Sequence, residues 1–163
     1  MFGPTFGNEI VAAGLQIGWM DDGTILGREN LTPEQAAKLD AVIAAHKPNR
    51  PTLDQIAAER NRRLQMGFDY PFGDSRGVHR IGTTPADMIG WGEVSTYAGA
   101  LLDSGDVTTQ IAIVTDTGPC HVTAPEWRAI ELAAAMLRQP VWARSFVLSQ
   151  SLPTDYTSDA QWK

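Results

Sequence analysis

The stretch LDQIAAERNRRLQMGFDYPFGDSRGVHRIG, residues 53–82, decides the fold. It predicts a helix, a stop and a β-hairpin in that order. Thr52 followed by Gln55 makes a capping box directly after Pro51, so a helix starts at Leu53. Leu53, Ile56, Ala57 and Leu64 share one helical face, and Glu59, Arg62 and Arg63 occupy the others. Gly67 ends the helix, because glycine takes the left-handed conformation without steric cost. Phe68, Tyr70 and Phe72 then alternate with Asp69 and Pro71 as a strand with one aromatic face. Residues 73–77 are turn chemistry, and Val78 to Ile81 is the return strand.

Upstream, Asp21-Asp22-Gly23 between short apolar runs signals a hairpin, and an isolated hairpin is marginal in water. Thr32, Pro33 and Gln35 cap a second helix reaching His46, with Leu39, Val42 and Ile43 as a narrow apolar stripe. Two prolines in residues 47–51 form a stiff linker and the expected domain boundary. Downstream, Thr84-Pro85-Ala86-Asp87 starts a helix that carries Gly90, Gly92 and Gly99. Each glycine costs about 1 kcal/mol there relative to alanine, and close packing is the expected reason. Residues 109–115 and 120–123 flank Asp116-Thr117-Gly118-Pro119 as another hairpin. A fourth capping box, Thr123 with Glu126, opens a last helix that Pro140 is expected to kink or break.

The expected fold is α+β: a small antiparallel sheet of two β-hairpins packed against three helices, with an N-terminal hairpin-plus-helix appendage. Its divisions are an attachment and oligomerisation arm over 1–50, a domain over 51–152, and a polar tail over 153–163. Phe2, Phe6, Ile17 and Trp19 have no evident core within the arm. With Leu39, Val42 and Ile43 they are the expected interface. Gly3, in the same loose segment, is expected to tolerate valine.

Chemistry is hard to find. A net charge of −6 in 163 residues argues against nucleic acid as the main partner. The single cysteine, Cys120, excludes an internal disulfide. No apolar run approaches the roughly 18 residues of a membrane span, and no secretory signal pattern opens the chain. Cys120 and His121 are neighbours on a strand and point to opposite faces, which argues against a catalytic dyad. His46, His79 and His121 lack metal-ligand spacing, and the dipole of the preceding helix accounts for His46. Arg60, Arg62 and Arg63 read as partners of Glu59, Asp54 or Asp69. The GDSRG loop lacks the Lys-Ser/Thr of a phosphate loop and joins strand to strand. No catalytic, cofactor-binding or metal-binding residue is expected. Five tryptophans are a high count, so one or two are expected at an interface.

ERNRRL (59–64) followed by GFDY (67–70), a glycine turn and a short strand, with ADMIGWGEV (86–94) and HVTAPEWRAI (121–130), resembles an uncharacterised domain family of bacteriophage tail-fibre and tail-assembly proteins. The resemblance runs from about Leu53 to about Leu152 and includes no known catalytic residue. It implies a non-enzymatic structural component of a tail, made in the host cytoplasm and carried in the virion. Its partners would be other tail proteins, copies of itself (a trimer favoured) and a host-surface receptor or glycan. An assembly chaperone absent from the virion and a small receptor- or glycan-binding module are the alternatives.

Overall fold

Four threonines set the starts of the four longer helices, and each closes the box its sequence predicts. Thr32 Oγ1 accepts from the Gln35 N–H while Gln35 accepts from the Thr32 N–H. Thr52 with Gln55, Thr84 with Asp87 and Thr123 with Glu126 repeat the exchange. In the computed structural model, which describes residues 1–163, the elements are α1 (Phe6–Ala12), β1 (Gly18–Trp19), β2 (Ile25–Leu26), α2 (Pro33–Ala45), α3 (Leu53–Leu64), β3 (Phe68–Pro71), β4 (Val78–Ile81), α4 (Pro85–Asp103), β5 (Ile111–Thr115), β6 (Gly118–Val122) and α5 (Ala124–Ser151). Short 3₁₀ turns cover Arg28–Asn30 and Asp159–Trp162. The class is α+β, with three two-stranded antiparallel ladders.

Gly67 sits at φ +67°, as the stop requires, and its N–H donates to Thr83 Oγ1 at 3.0 Å. Thr83 in turn donates to the Leu64 carbonyl, so one buried hydroxyl ties the helix end to the chain leaving β4. The β3–β4 ladder pairs Phe68 with Ile81 and Pro71 with Val78; β5–β6 pairs Ile111 with Val122 and Thr115 with Gly118. The two hairpins do not merge into one ladder. One backbone–backbone hydrogen bond joins them, from the Asp116 N–H to the Arg80 carbonyl at 2.9 Å, and side-chain bonds from Arg76, His79 and Thr117 add to it. Phe68, Ile81, Ala98, Ile111, Ile113, Val122, Trp127 and Ile130 form the core beneath them.

Contacts divide the chain into Met1–Ile56 with Val147–Gln161, and Ala57–Phe146 with Trp162–Lys163. The boundary therefore lies inside α3 and not at residue 50, and most of the expected tail belongs with the N-terminal unit. Within the expected linker, Lys47, Pro48 and Asn49 are exposed, but Pro51 is buried and not a solvated spacer.

The N-terminal unit also corrects the interface expectation. Phe6, Ile10, Leu15 and Leu39 are buried together, with Phe2, Ile17, Val42 and Ile43 packed against them. Phe2 stacks on Phe6, and Trp19 meets Phe6 edge-on. All the expected interface residues except Trp19, which is exposed, belong to this unit's own core. Helix α1, which the sequence reading did not assign, supplies the missing surface. Gly3 is confined: a Cβ there would lie 1.7 Å from the Pro48 carbonyl oxygen, so valine is not tolerated.

Candidate assembly surface

Helix α5 runs for 28 residues, through Pro140. Proline removes one N–H, which would have paired with the carbonyl of Met136. Both residues are exposed, so water can take that carbonyl and the helix continues. The expected break is absent, and continuity changes what the helix displays.

One side of α5 is core: Ala124, Trp127, Ile130 and Ala134 are buried. The opposite side carries Ala129, Leu132, Met136, Gln139, Ala143 and Phe146, all exposed. Their spacing alternates steps of three and four, the period that lays a seam along a helix for another helix to pack on. Leu132, Met136 and Phe146 are 63%, 70% and 65% exposed, which is unusual for large apolar side chains in one stripe. The spacing was present in the sequence, but a break at Pro140 would have split it.

Polar groups around the core are satisfied internally. Trp127 Nε1 donates to Ser95 Oγ at 3.0 Å, Ser95 bonds Glu131, and Arg128 pairs with Glu131 at 2.7 Å. Arg76, at the tip of the β3–β4 hairpin, is a clamp that sequence reading missed. It pairs with Asp74 at 2.6 Å and with Glu126, donates to the His121 carbonyl at 2.8 Å, and lies over Phe72. The Arg76 hydrogen bond brings the Asp74 carboxyl down to about 2 and holds Glu126 below its usual range. Asp74 and then Glu126 raise the guanidinium of Arg76 further above its usual value.

The candidate reactive groups disperse. Cys120 is buried and His121 exposed, as strand alternation requires. Its thiol approaches only the His121 backbone carbonyl, at 3.7 Å. His79 Nδ1 lies 2.9 Å from Thr115 Oγ1 and 3.2 Å from Thr117 Oγ1. His46 does more than complement a helix dipole. Its Nε2 accepts from the Gly3 N–H at 3.0 Å and its Nδ1 lies 2.8 Å from Glu9 Oε2, which links the N-terminus to α1. No group of three or more His, Cys, Asp or Glu side chains is arranged to hold a metal ion. Glu59 is buried and accepts from Arg62 and Arg63 at 2.7 Å, and the Arg62 hydrogen bond holds its carboxyl below the usual range. Arg60 lies over Trp142, and Arg63 over Trp162. Trp91 and Trp127 pack on each other at 4.9 Å between ring centroids, within the C-terminal unit's core. No helix is long and apolar enough to cross a membrane.

No family description matches this chain, and neither a curated protein nor a solved structure matches it.

Proposed function

We propose that the protein is a non-enzymatic structural component of a bacteriophage tail and associates with copies of itself through α5. The observation that carries this reading is the exposed seam from Ala129 to Phe146. Large apolar groups in one stripe lose free energy by staying in water, and about 25 cal/mol is recovered for each Å² buried. The resemblance of residues 53–152 to tail-fibre and tail-assembly domains supports the tail assignment, and a trimer is the form it favours. Association through α5 replaces association through the arm, where Phe2, Phe6, Ile17, Leu39, Val42 and Ile43 are occupied in their own core. The glycan-platform alternative is left with Trp19 and Trp142, the two exposed tryptophans, because Trp91 and Trp127 pack in the core and Trp162 is buried.

Sedimentation equilibrium at micromolar concentration tests the reading, with a mass of three times 17.7 kDa expected. Met136→Glu with Phe146→Glu should give a monomer with unchanged far-UV circular dichroism. Mass spectrometry of purified particles should find the protein. A monomeric parent that is absent from particles refutes the proposal, and absence from particles with the trimer intact favours the assembly chaperone.

A further inference from the structure

The outer edge of β5 is open. Pro119 has no N–H, so Val114 and Pro119 cannot exchange two backbone bonds and form a wide pair. Alternation then places Ala112 opposite His121 as a second wide pair, with the N–H and C=O of Ala112 and Val114 directed away from β6. Asp116, next in the same phase, shows the direction: its N–H reaches outward to the Arg80 carbonyl. Past that point the chain turns away through Gly82 into α4, and no strand covers Ala112 or Val114. Val114 is 91% exposed.

Between this edge and the first half of α4 lies a cleft of about 290 Å³. Trp91, Val94 and Ile113 give it apolar walls, and Gly90 widens it, since a Cβ there would have nothing within 4 Å. Its charged lining is Asp87 and Glu93, with no lysine or arginine. Asp87 is engaged in capping α4, whereas Glu93 is exposed and makes no ion pair. A strand edge facing a helix across an apolar cleft is the geometry by which an extended peptide joins a sheet.

We infer that this cleft binds an extended segment of a partner protein, which adds as a strand to β5 and places a lysine or arginine against Glu93. Backbone pairing to Ala112 and Val114 sets its register, and alternate apolar side chains enter the cleft. A second copy of β5 does not fit this chemistry, because residues 110–115, QIAIVT, carry no charge to meet Glu93. The inference holds whichever particle the protein serves, and it uses a surface other than α5.

The probe is a displayed library of random octapeptides, selected on the full-length chain and then synthesised. Enriched peptides should alternate apolar residues and carry a lysine or arginine. In the free protein the Ala112 and Val114 amides should exchange rapidly while Ile111 and Ile113 are protected; bound peptide should protect all four. Val114→Pro removes an outward donor without touching the bonds to β6, and should weaken binding at least tenfold. Glu93→Lys, on an exposed helix position, should weaken it at least fivefold and carries the test if the proline variant does not fold. Failure to enrich any peptide, enrichment of acidic sequences, or binding that leaves the Ala112 and Val114 amides unprotected overturns the inference. Self-association abolished by Val114→Pro but insensitive to the α5 substitutions overturns it in favour of a second copy.

Discussion

Replacing Gly67 with valine attacks the junction on which the C-terminal unit depends, and its effect can be worked from three contributions. A β-branched residue at φ +67° occupies backbone space that L side chains avoid, a strain of about 1–3 kcal/mol. The added Cβ would stand 2.7 Å from the Ile81 carbonyl oxygen, which is ladder backbone and cannot step aside. Moving residue 67 to relieve that contact loosens its bond to the Thr83 hydroxyl, worth about 1 kcal/mol net. The total is about 3 kcal/mol, or roughly 12–24 °C in melting temperature for a cooperative unit of this size. Gly73→Val is the matched control. Its φ is +75°, but nothing lies within 4 Å of its Cβ position, so only the strain remains. Thermal denaturation followed at 222 nm should show Gly67→Val falling at least about 4 °C further than Gly73→Val. Equal shifts would mean that the close approach to β4 contributes nothing, and a Gly67→Val melt within about 2 °C of the parent would remove the helix stop altogether.

Acid should destabilise the chain below the ordinary aspartate range. Asp106 is brought to about 2, chiefly by the Thr109 hydroxyl and then by the Thr109 and Thr108 backbone N–H groups, and Arg76 does the same for Asp74. Because the folded values lie below the unfolded ones, this stabilisation is complete above about pH 4 and is lost as the pH falls toward 2. Urea midpoints between pH 6 and 2 should follow that course, and Asp74→Asn with Asp106→Asn should flatten it; an unchanged slope would assign the acid loss to other carboxylates. Gly90→Ala and Gly92→Ala should each stabilise the protein by about 0.5–1 kcal/mol in denaturant unfolding. Neither Cβ position meets another group, contrary to the close packing expected there, and destabilisation would mean that the helix packs more tightly than that.

What the sequence made legible is what local chemistry decides. Threonine followed three residues later by Gln, Asp or Glu fixed four helix starts, and Gly67 fixed a helix end. Strand alternation put Cys120 inside and His121 outside. The errors arose where distant segments supply the answer. Phe6 and Leu39 seemed to lack a core because α1, the first hairpin and α2 each carry only a narrow apolar stripe, and three stripes close into a core only in three dimensions. Helix α1 has no side-chain N-cap bond and spans only seven residues, so no local signal announces it. His46 likewise carried no mark of its bonds to Gly3 and Glu9, two residues about forty positions away. At Pro140 the local rule was sound, but exposure of the freed carbonyl softened its consequence. The cleft beside β5 depends on where β4 leaves the sheet, which no spacing encodes.

The discontinuity of the N-terminal unit bears on the order of folding. Its two parts, Met1–Ile56 and Val147–Gln161, are separated by most of the other unit, so bringing them together in an unfolded chain closes a long loop. The entropy of that closure grows as the logarithm of the loop length and is about 4 kcal/mol for a segment of roughly 90 residues. The intervening segment needs almost nothing from outside itself, since both of its ladders join strands adjacent in sequence across short turns. Local pairing of that kind forms quickly. During synthesis the ladders of the inner unit can therefore form before the last residues arrive, with Trp162 and Lys163 added to that unit afterwards, and their formation replaces a flexible loop with a fixed span. A destabilised inner unit, such as the Gly67→Val protein, should then slow completion of the N-terminal unit as well, although no residue of that unit has been changed.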